Sequence, residues 1–436
     1  NMALGGGSFT TQNKVLPGTY INFVSAASST PELSERGIAT MPLELDWGKE
    51  GSVFTVSSEE FQKNSLTLFG YAYEHEKMKG LRELFRGAST LHAYRLNGGG
   101  TKAANDYATA KYSGTRGNDI RIVIQENADN TSMFDVITYL DSVKLDTQTV
   151  AKTDELKSNE YVDFKSGAVL AKTAAKPLTG GTNGTVDGKA YQDYADRIES
   201  YTFNTMGIVT TDETVKNMFV SFVKRMRDEV GIKFQVVLYQ CAADYMGVID
   251  VKNKVEEESW PESALVYWVT GAECGCMVNK SCQNKKYDGE FNVNTVYTQS
   301  ELQTAIKAGE FVLHNVNSDI RVLEDINSMV TTAEECGDIF KDNQTIRVID
   351  QLGNEDAVLF NTKYLGTVPN NDSGRISLWS DLVKIRQQLQ DMGAIENFTD
   401  SDVEVTQGNS KKSVVVTGTV QVAGTMSKVY MTITVQ

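Results

Sequence analysis

Five cysteines and three histidines carry most of the chemistry this chain has to offer: Cys241, Cys274, Cys276, Cys282 and Cys336, with His75, His92 and His314. Cys274, Cys276 and Cys282 lie close enough in sequence to raise structural zinc. Zinc wants four ligands, usually from two C-x-x-C pairs, and no histidine or fourth cysteine stands nearby. Gly271, Ala272 and Gly275 around them predict small residues on a tightly packed helix instead. His75, among Glu74, Glu76 and Lys77, reads as a solvated helical residue, and His92 in LHAYRL and His314 in FVLHNV read as packed strand residues. The glycines at 180, 181, 184 and 188, followed by Lys189, resemble a phosphate loop. They fail its spacing, because Asn183 stands where the first glycine belongs and Ala190 replaces the metal-binding Ser or Thr. That stretch is expected to be a flexible join between domains. Neither G-x-S-x-G nor H-E-x-x-H occurs. The expectation is no catalytic residue, no metal, no cofactor and no enzyme.

With no reaction centre to position, the elements must serve another purpose. A chain of 436 residues, 40% hydrophobic, is too long for one core and too apolar for a disordered scaffold. Its 57 acidic against 42 basic residues give a net charge of −15, which repels nucleic acid and anionic lipid. No run approaches 18 apolar residues, and the first residues lack a basic and apolar export signal, so the chain is expected to be soluble and made inside the cell. Five sparse cysteines suit a reducing compartment.

Residues 2–18 are Gly-, Thr- and Asn-rich and read as an extended arm, including the run Gly5, Gly6, Gly7; residues 19–24 then have strand composition. From Gly37 to Leu96 strands and helices mix. From Thr101 to Leu178 the pattern turns to short alternating runs: Ile120, Ile122 and Ile124 alternate with Arg121, Val123 and Gln125. MFDVITYL and VKLDTQTV predict a hairpin across Asp141 and Ser142. This predicts a small β-sandwich or barrel. From Lys189 the pattern is α/β. A capping box at Thr210 and Glu213 is expected to open a helix with a stripe from Val215 to Val230 that stops at Gly231. FQVVLY follows, completing a βαβ unit. Further helices are expected from Pro261 to about Val278 and from a cap at Ser300 and Gln303 to Gly309. In the last hundred residues a helix is predicted around NEDAVLFNTKYLG, and Leu378, Leu382, Ile385, Leu389 and Met392 mark another that ends at Gly393. SVVVTGTVQVA and KVYMTITVQ predict two strands about a turn at Gly424. Val429, Met431, Ile433 and Val435 lie on one face of the last strand and Tyr430, Thr432 and Thr434 on the other. Such a strand aggregates unless something pairs with it.

Seven segments in order resemble the tail sheath proteins of contractile-tailed bacteriophages, in the form found in prophages of Gram-positive bacteria. They are SFTTQNKVLPGTYINFVSA (8–26), ERGIATMPLELDWG (35–48), LHAYRLNGGGTKA (91–103), AKYSGTRGNDIRIVI (110–124), LTGGTNGT (178–185), FVKRMRDEVGIKFQVVLY (222–239) and YLGTVPNNDSGRISLWSDLVKIRQQLQDMGAIENF (364–398). The resemblance implies a multidomain α+β fold with arms at both ends: an N-terminal arm at 1–28, an inner α+β domain built from 29–100 and 336–425, a β-sandwich or barrel at 101–178, an α/β domain at 179–335 and a C-terminal arm at 426–436. It implies that both arms exchange with neighbouring subunits, through Tyr20, Ile21, Phe23 and Val24 at one end and Val429, Tyr430, Met431, Ile433 and Val435 at the other. The implied partners are other copies in a helical homo-oligomer, the tail tube protein, and baseplate and tail terminator proteins, with no nucleic acid and no direct membrane contact. The implied location is the virion tail, assembled in the host cytoplasm. A headless phage-tail-like bacteriocin or related injection device would use the same subunit. An enzyme built on the α/β segment is the reading from another class.

Overall fold

Ser57 and Glu60 form a reciprocal capping box that starts α1 (Ser58–Phe69), and Gly70 ends it at φ 77°. In the computed structural model, which describes residues 33–435, the apolar runs on either side become strands. β1 (Ile38–Leu43) and β3 (Thr90–Arg95) are parallel and in register from Ile38↔Thr90 to Leu43↔Arg95; β2 (Phe54–Ser57) adds antiparallel to β3, and α2 (Lys79–Leu84) precedes β3.

The chain then leaves for a small β module. Here β4 (Ala108–Ala110) pairs with β8 (Val162–Phe164), while β5 (Ile120–Glu126), β6 (Phe134–Leu140), β7 (Val143–Val150) and β9 (Thr173–Pro177) form a sheet of order β7-β6-β5-β9. Ile120, Ile122 and Ile124 point inward as their alternation predicts, against Ala108, Ala110 and Val162 of the smaller sheet. Asp141, at φ 52°, turns the expected β6–β7 hairpin.

The glycines at 180–188 do not make a flexible join. A Cβ on Gly184 would sit 2.0 Å from the Gly98 carbonyl oxygen, and one on Gly100 would sit 1.9 Å from that of Thr182. The outgoing and returning strands of the neck lie backbone to backbone, tied by Gly184 N–H to Asn97 O at 2.9 Å and Thr182 N–H to Thr101 O at 3.0 Å. Glycine is required there for close approach, and the neck is packed.

The returning chain forms α3 (Gly188–Ile198), β10 (Thr205–Gly207), α4 (Glu213–Lys224), β11 (Gln235–Tyr239), β12 (Val248–Val251), α5 (Val266–Gly275), α6 (Gln299–Lys307) and β13 (Glu310–Phe311). The βαβ unit is present as β10–α4–β11, with parallel strands. Two caps differ from expectation. Asp212 caps α4 while Thr210 accepts only from the Asp212 amide, and Thr298 with Glu301, not Ser300 with Gln303, boxes α6. In both places a residue with a free extended backbone just ahead of the helix reaches the exposed amides first. All these strands join those of the first segment in one sheet of order β13-β12-β11-β10-β1-β3-β2. Strand pairing therefore unites the first segment with the α/β segment, where the resemblance groups it with the last. α2 and α5 cover one face, with Leu84, Trp268 and Val269, and α3 and α4 cover the other, with Tyr194 and Phe219.

After the hairpin of β14 (Leu313–Val316) and β15 (Asp319–Val322) comes a C-terminal module of α7 (Asn343–Leu359), α8 (Asp372–Asp391), β16 (Ile395–Glu396), β17 (Val403–Gln407), β18 (Val414–Gly418) and β19 (Gln421–Val422). α7 begins well before the predicted helix, with Asp342 capping the Thr345 amide at 2.7 Å. The face of Leu378, Leu382, Ile385 and Leu389 is buried as predicted. The last two predicted strands do not pair with each other. β18 turns back onto β17 over five residue pairs, β19 pairs with β16, and residues 423–435 contain no strand.

Candidate assembly interface

Residues 423–435, the last of the described chain, form neither helix nor strand. The root of this segment is fixed: Ala423 N–H bonds Ala394 O at 3.0 Å, Gln344 of α7 brackets Ala423 O and Thr425 N–H at 3.1 Å each, and Gln283 holds Ser427 at 2.8 Å. Beyond Ser427, among the described residues, no hydrogen bond reaches 428–435. Val429, Tyr430, Met431, Ile433 and Val435 are 82, 91, 73, 74 and 89% exposed. Eight residues of β-favouring sequence, about 27 Å long when extended, thus offer a full row of amide and carbonyl groups and one apolar face, the other carrying Tyr430, Thr432 and Thr434. Tyr20, Ile21, Phe23 and Val24, the other expected arm, lie outside the described residues.

The described chain starts on the same helix. Leu33 packs on the C-terminal core, Ser34 N–H donates to Glu355 Oε1 at 2.7 Å, and Gln351 Nε2 donates to Ser34 O at 3.2 Å. The points where the chain enters and leaves the described structure are therefore both held by α7, at Gln351 and Gln344, about 10 Å apart along the axis. The β17–β18 ribbon of the same module is two strands wide, so among the described residues each strand has one edge without a strand partner, and Val415 and Val416 are exposed on it.

The adjacent face of α7 is also polar, and it turns to the sheet body. Asn343, Arg347, Asp350 and Asn354 share one face and meet the sheet body. Asn343 accepts from Gln235 at 2.9 Å, and Asp350 takes both guanidinium nitrogens of Arg227 at 2.5 and 2.7 Å. Asn354 Nδ2 donates to Lys233 O at 2.9 Å. Arg347 forks between Glu273 Oε2 at 2.5 Å and Asp325 Oδ2 at 2.7 Å. Burial raises the Glu273 carboxyl well above its ordinary range. Asp325, although burial opposes its ionisation, is held below its ordinary value by Arg347.

Sequence reasoning about metals considered cysteine and histidine and missed this group. Glu273, Cys282 and Asp325 place ligand atoms within 4.8 Å of one another, but the Arg347 guanidinium already bonds both carboxylates. The cysteine-bearing helix is as closely packed as its small residues suggest: a Cβ on Gly271 would sit 2.1 Å from Leu84 O, and burial pushes the Cys274 thiol up to about 12. The histidines are dispersed. His75 caps a short turn through Lys77 N–H, His92 bonds Thr55 from β3, and His314 lies on β14. Where a doubly wound sheet would hold a ligand, at the carboxyl ends of β1 and β10, Trp260 Nε1 donates to Glu76 at 2.8 Å and Lys77 to Asp46 at 2.6 Å.

Four sequence-family profiles match in chain order. They are the tail sheath protein Gp18 domain III N-terminal region at 36–96, the phage tail sheath protein beta-sandwich domain at 98–183, the phage tail sheath protein central domain at 184–328, and the phage tail sheath C-terminal domain at 335–436. The phage-like element PBSX protein XkdK of Bacillus subtilis is 30% identical across 99% of this chain and 100% of its own. The crystal structure of the sheath tail protein from Desulfitobacterium hafniense is 36% identical and covers 95% of this chain and 99% of that one, with a TM-score of 0.84. The helical sheath of the anti-feeding prophage in its contracted state, only 12% identical, shares the fold at a TM-score of 0.57 over 97% of this chain and 99% of its own. With full-length identity, a shared fold and all four segments in order, the chain belongs to the phage tail sheath protein family.

Proposed function

We propose that this chain is the polymerising subunit of a contractile sheath. In this reading it packs helically around a tail tube, links its neighbours by exchanging terminal strands, and shortens to drive the tube through a target envelope. The observation that carries the reading is the C-terminal segment 428–435, exposed, rich in β-favouring residues and without a strand partner among the described residues. Its natural complement is a strand of another copy, the β-augmentation mode of recognition. The N-terminal residues Tyr20, Ile21, Phe23 and Val24 supply the second arm. The partners are then other copies, the tube protein, and baseplate and terminator proteins at the ends, in a particle assembled in the host cytoplasm. The contracted state of the anti-feeding prophage sheath, on the same fold, supports contraction as the motion.

One arm is a weak bond. Each strand hydrogen bond contributes about 0.5–1.5 kcal/mol, while ordering each residue costs about 1–2 kcal/mol. Burying Tyr430 and Ile433 at roughly 1.5–3 kcal/mol each supplies much of the remainder. Two arms per subunit in a closed lattice gain from effective concentration, so subunits stay soluble until a tube or baseplate gathers them. The test is electron microscopy and sizing of the full chain and of chains lacking 2–24 or 428–436, each with and without the cognate tube protein. Striated tubes from the full chain and folded, non-assembling truncations are expected. Ordered tubes from either truncation would remove strand exchange from the reading, and a full chain that never assembles on its tube would remove the sheath role.

A further inference from the structure

The large sheet changes direction between β1 and β10: β3 and β2 lie beyond β1 on one side, and β11, β12 and β13 beyond β10 on the other. A sheet wound this way leaves a crevice where the connections part, outside the carboxyl ends of those two strands. Here the crevice is a cavity of about 560 Å³ that reaches Leu43 at the end of β1 and Val209 just after β10. Tyr191, Trp260 and Tyr267 line it, together with Glu44, Glu76 and Lys77. Its size suits a small ligand or one side chain of a partner. We propose that this cavity binds an organic ammonium group, held between aromatic rings and the Glu44 carboxylate.

The aromatic walls are set in advance. The rings of Trp260 and Tyr267, both half-buried, stand at 90° with centroids 6.1 Å apart. Trp260 Nε1 donates to Glu76 at 2.8 Å, and its ring packs on Phe291 at 5.1 Å. A Cβ on Gly80 would sit 2.7 Å from the Tyr267 ring, so the glycine makes room for that wall. A cation is drawn to the electron-rich faces of such rings, most strongly where water is partly excluded. The charges select the same guest. Lys77 is bonded to Asp46 at 2.6 Å, and Glu76 lies 3.7 Å from Lys79. Glu44 is exposed, and its carboxylate has no hydrogen-bond or ion-pair partner among the described residues. Glu258 and Glu262, both exposed, flank in sequence the residues 259–261 that complete the lining. An anion would be repelled from this mouth, and a cation drawn to it. The ammonium can belong to a free amine or to a lysine side chain on another protein.

Calorimetric titration of the full-length protein at constant ionic strength tests this. The probes are choline, a blocked lysine amide, and the uncharged tert-butyl analogue of choline. At least one cation should bind at a single site per chain, and the uncharged analogue should bind about tenfold more weakly or worse. Choline alone would assign the site to a free amine, and the lysine amide alone to a protein side chain. Glu44→Gln removes no intrachain bond and should weaken the cation about fivefold. Trp260→Leu should weaken it roughly 10- to 30-fold, and Glu404→Gln, on the distant β17 strand, should leave it unchanged. Urea unfolding without ligand establishes that each variant is folded. Three results would each overturn the proposal: no binding of either cation, equal binding of the uncharged analogue, or cation binding that Glu44→Gln does not weaken.

Discussion

Two neighbouring polar faces of α7 hold different things. Toward the sheet body, Asn343, Arg347, Asp350 and Asn354 are paired in the interior, where an unpartnered charge is costly. Toward the chain terminus, Gln344 anchors a segment whose backbone and large side chains meet only solvent. The first surface makes its bonds within one chain, although Arg347 Nε and Glu273 Oε1 find no partner among the described residues; the second has bonds left to give to another. A subunit that must keep its shape while its neighbours move needs both, and the contrast yields a rule. Substitutions in the seam change the stability of the isolated chain, and substitutions in the tail change only its association.

The largest effect should come from Arg347→Ala. It strands Asp325, together with Glu273, in the interior, and removing one partner of a buried pair costs about 3–5 kcal/mol. Urea unfolding of the isolated chain measures this. A loss under about 1 kcal/mol would mean that the seam is hydrated and that the contrast with the tail is smaller than drawn.

Next is Gly271→Ala. Its Cβ would lie 2.1 Å from the Leu84 carbonyl oxygen, a backbone atom that can yield only by moving α2 away from α5, an overpacking cost of about 1–3 kcal/mol. Gly188→Ala is the control, because a Cβ there meets nothing within 4 Å. Equal thermal unfolding of the two variants would show that the α2–α5 contact is loose.

These positions also mark how far the sequence could be read. Alternation at Ile120–Ile124 and the 3.6-residue stripe from Leu378 to Leu389 are local signals, and both survive in the fold. The apolar alternation of the tail did not become a strand of this chain: β18 pairs back onto β17, β19 onto β16, and 429–435 are exposed. The sharing of one sheet by 38–95 and 205–311 was not legible, since parallel strands joined across an inserted module leave no short-range trace. Glycine at the neck was visible, but whether it serves flexibility or close approach depends on what crosses it. Arg347, Glu273 and Asp325 are far apart in sequence and look like solvated charges one by one. The only available signal was the i, i+4, i+7, i+11 spacing of Asn343, Arg347, Asp350 and Asn354 on one helix face.

A smaller, pH-dependent effect separates a buried charge that is paired from one that is not. Asp250 on β12 accepts the Cys241 amide at 2.7 Å and faces Glu310, Lys216 and Lys252. Burial, with Glu310 adding, raises its carboxyl from 3.8 to about 6. Between those values the folded chain binds more protons than the unfolded chain, so the Asp250 contribution to stability falls as pH rises from about 4 to 6. Asp250→Asn keeps an acceptor for the Cys241 amide and removes the titration. Its stability relative to the parent should therefore climb across that window by up to about 1.4 kcal/mol per pH unit. Parallel stability–pH curves would show that Asp250 is as well compensated as Asp325.

The smallest effect on the isolated chain is expected where the effect on the assembly is greatest. Tyr430 and Ile433 are 91 and 74% exposed, so Tyr430→Asp and Ile433→Asp remove no intrachain contact and should shift unfolding by no more than about 0.5 kcal/mol. In a strand seated against another copy, the same changes forfeit roughly 1.5–3 kcal/mol of burial per site and add a carboxylate to an apolar face. Repeated at every subunit of a lattice, that loss should raise the concentration needed for tube growth severalfold or abolish it. Sedimentation and electron microscopy with the tube protein read the assembly, and urea unfolding reads the monomer. A variant that unfolds early would mean the tail is part of the subunit's own core. A variant that unfolds and assembles like the parent would mean that residues 428–435 contribute nothing to either.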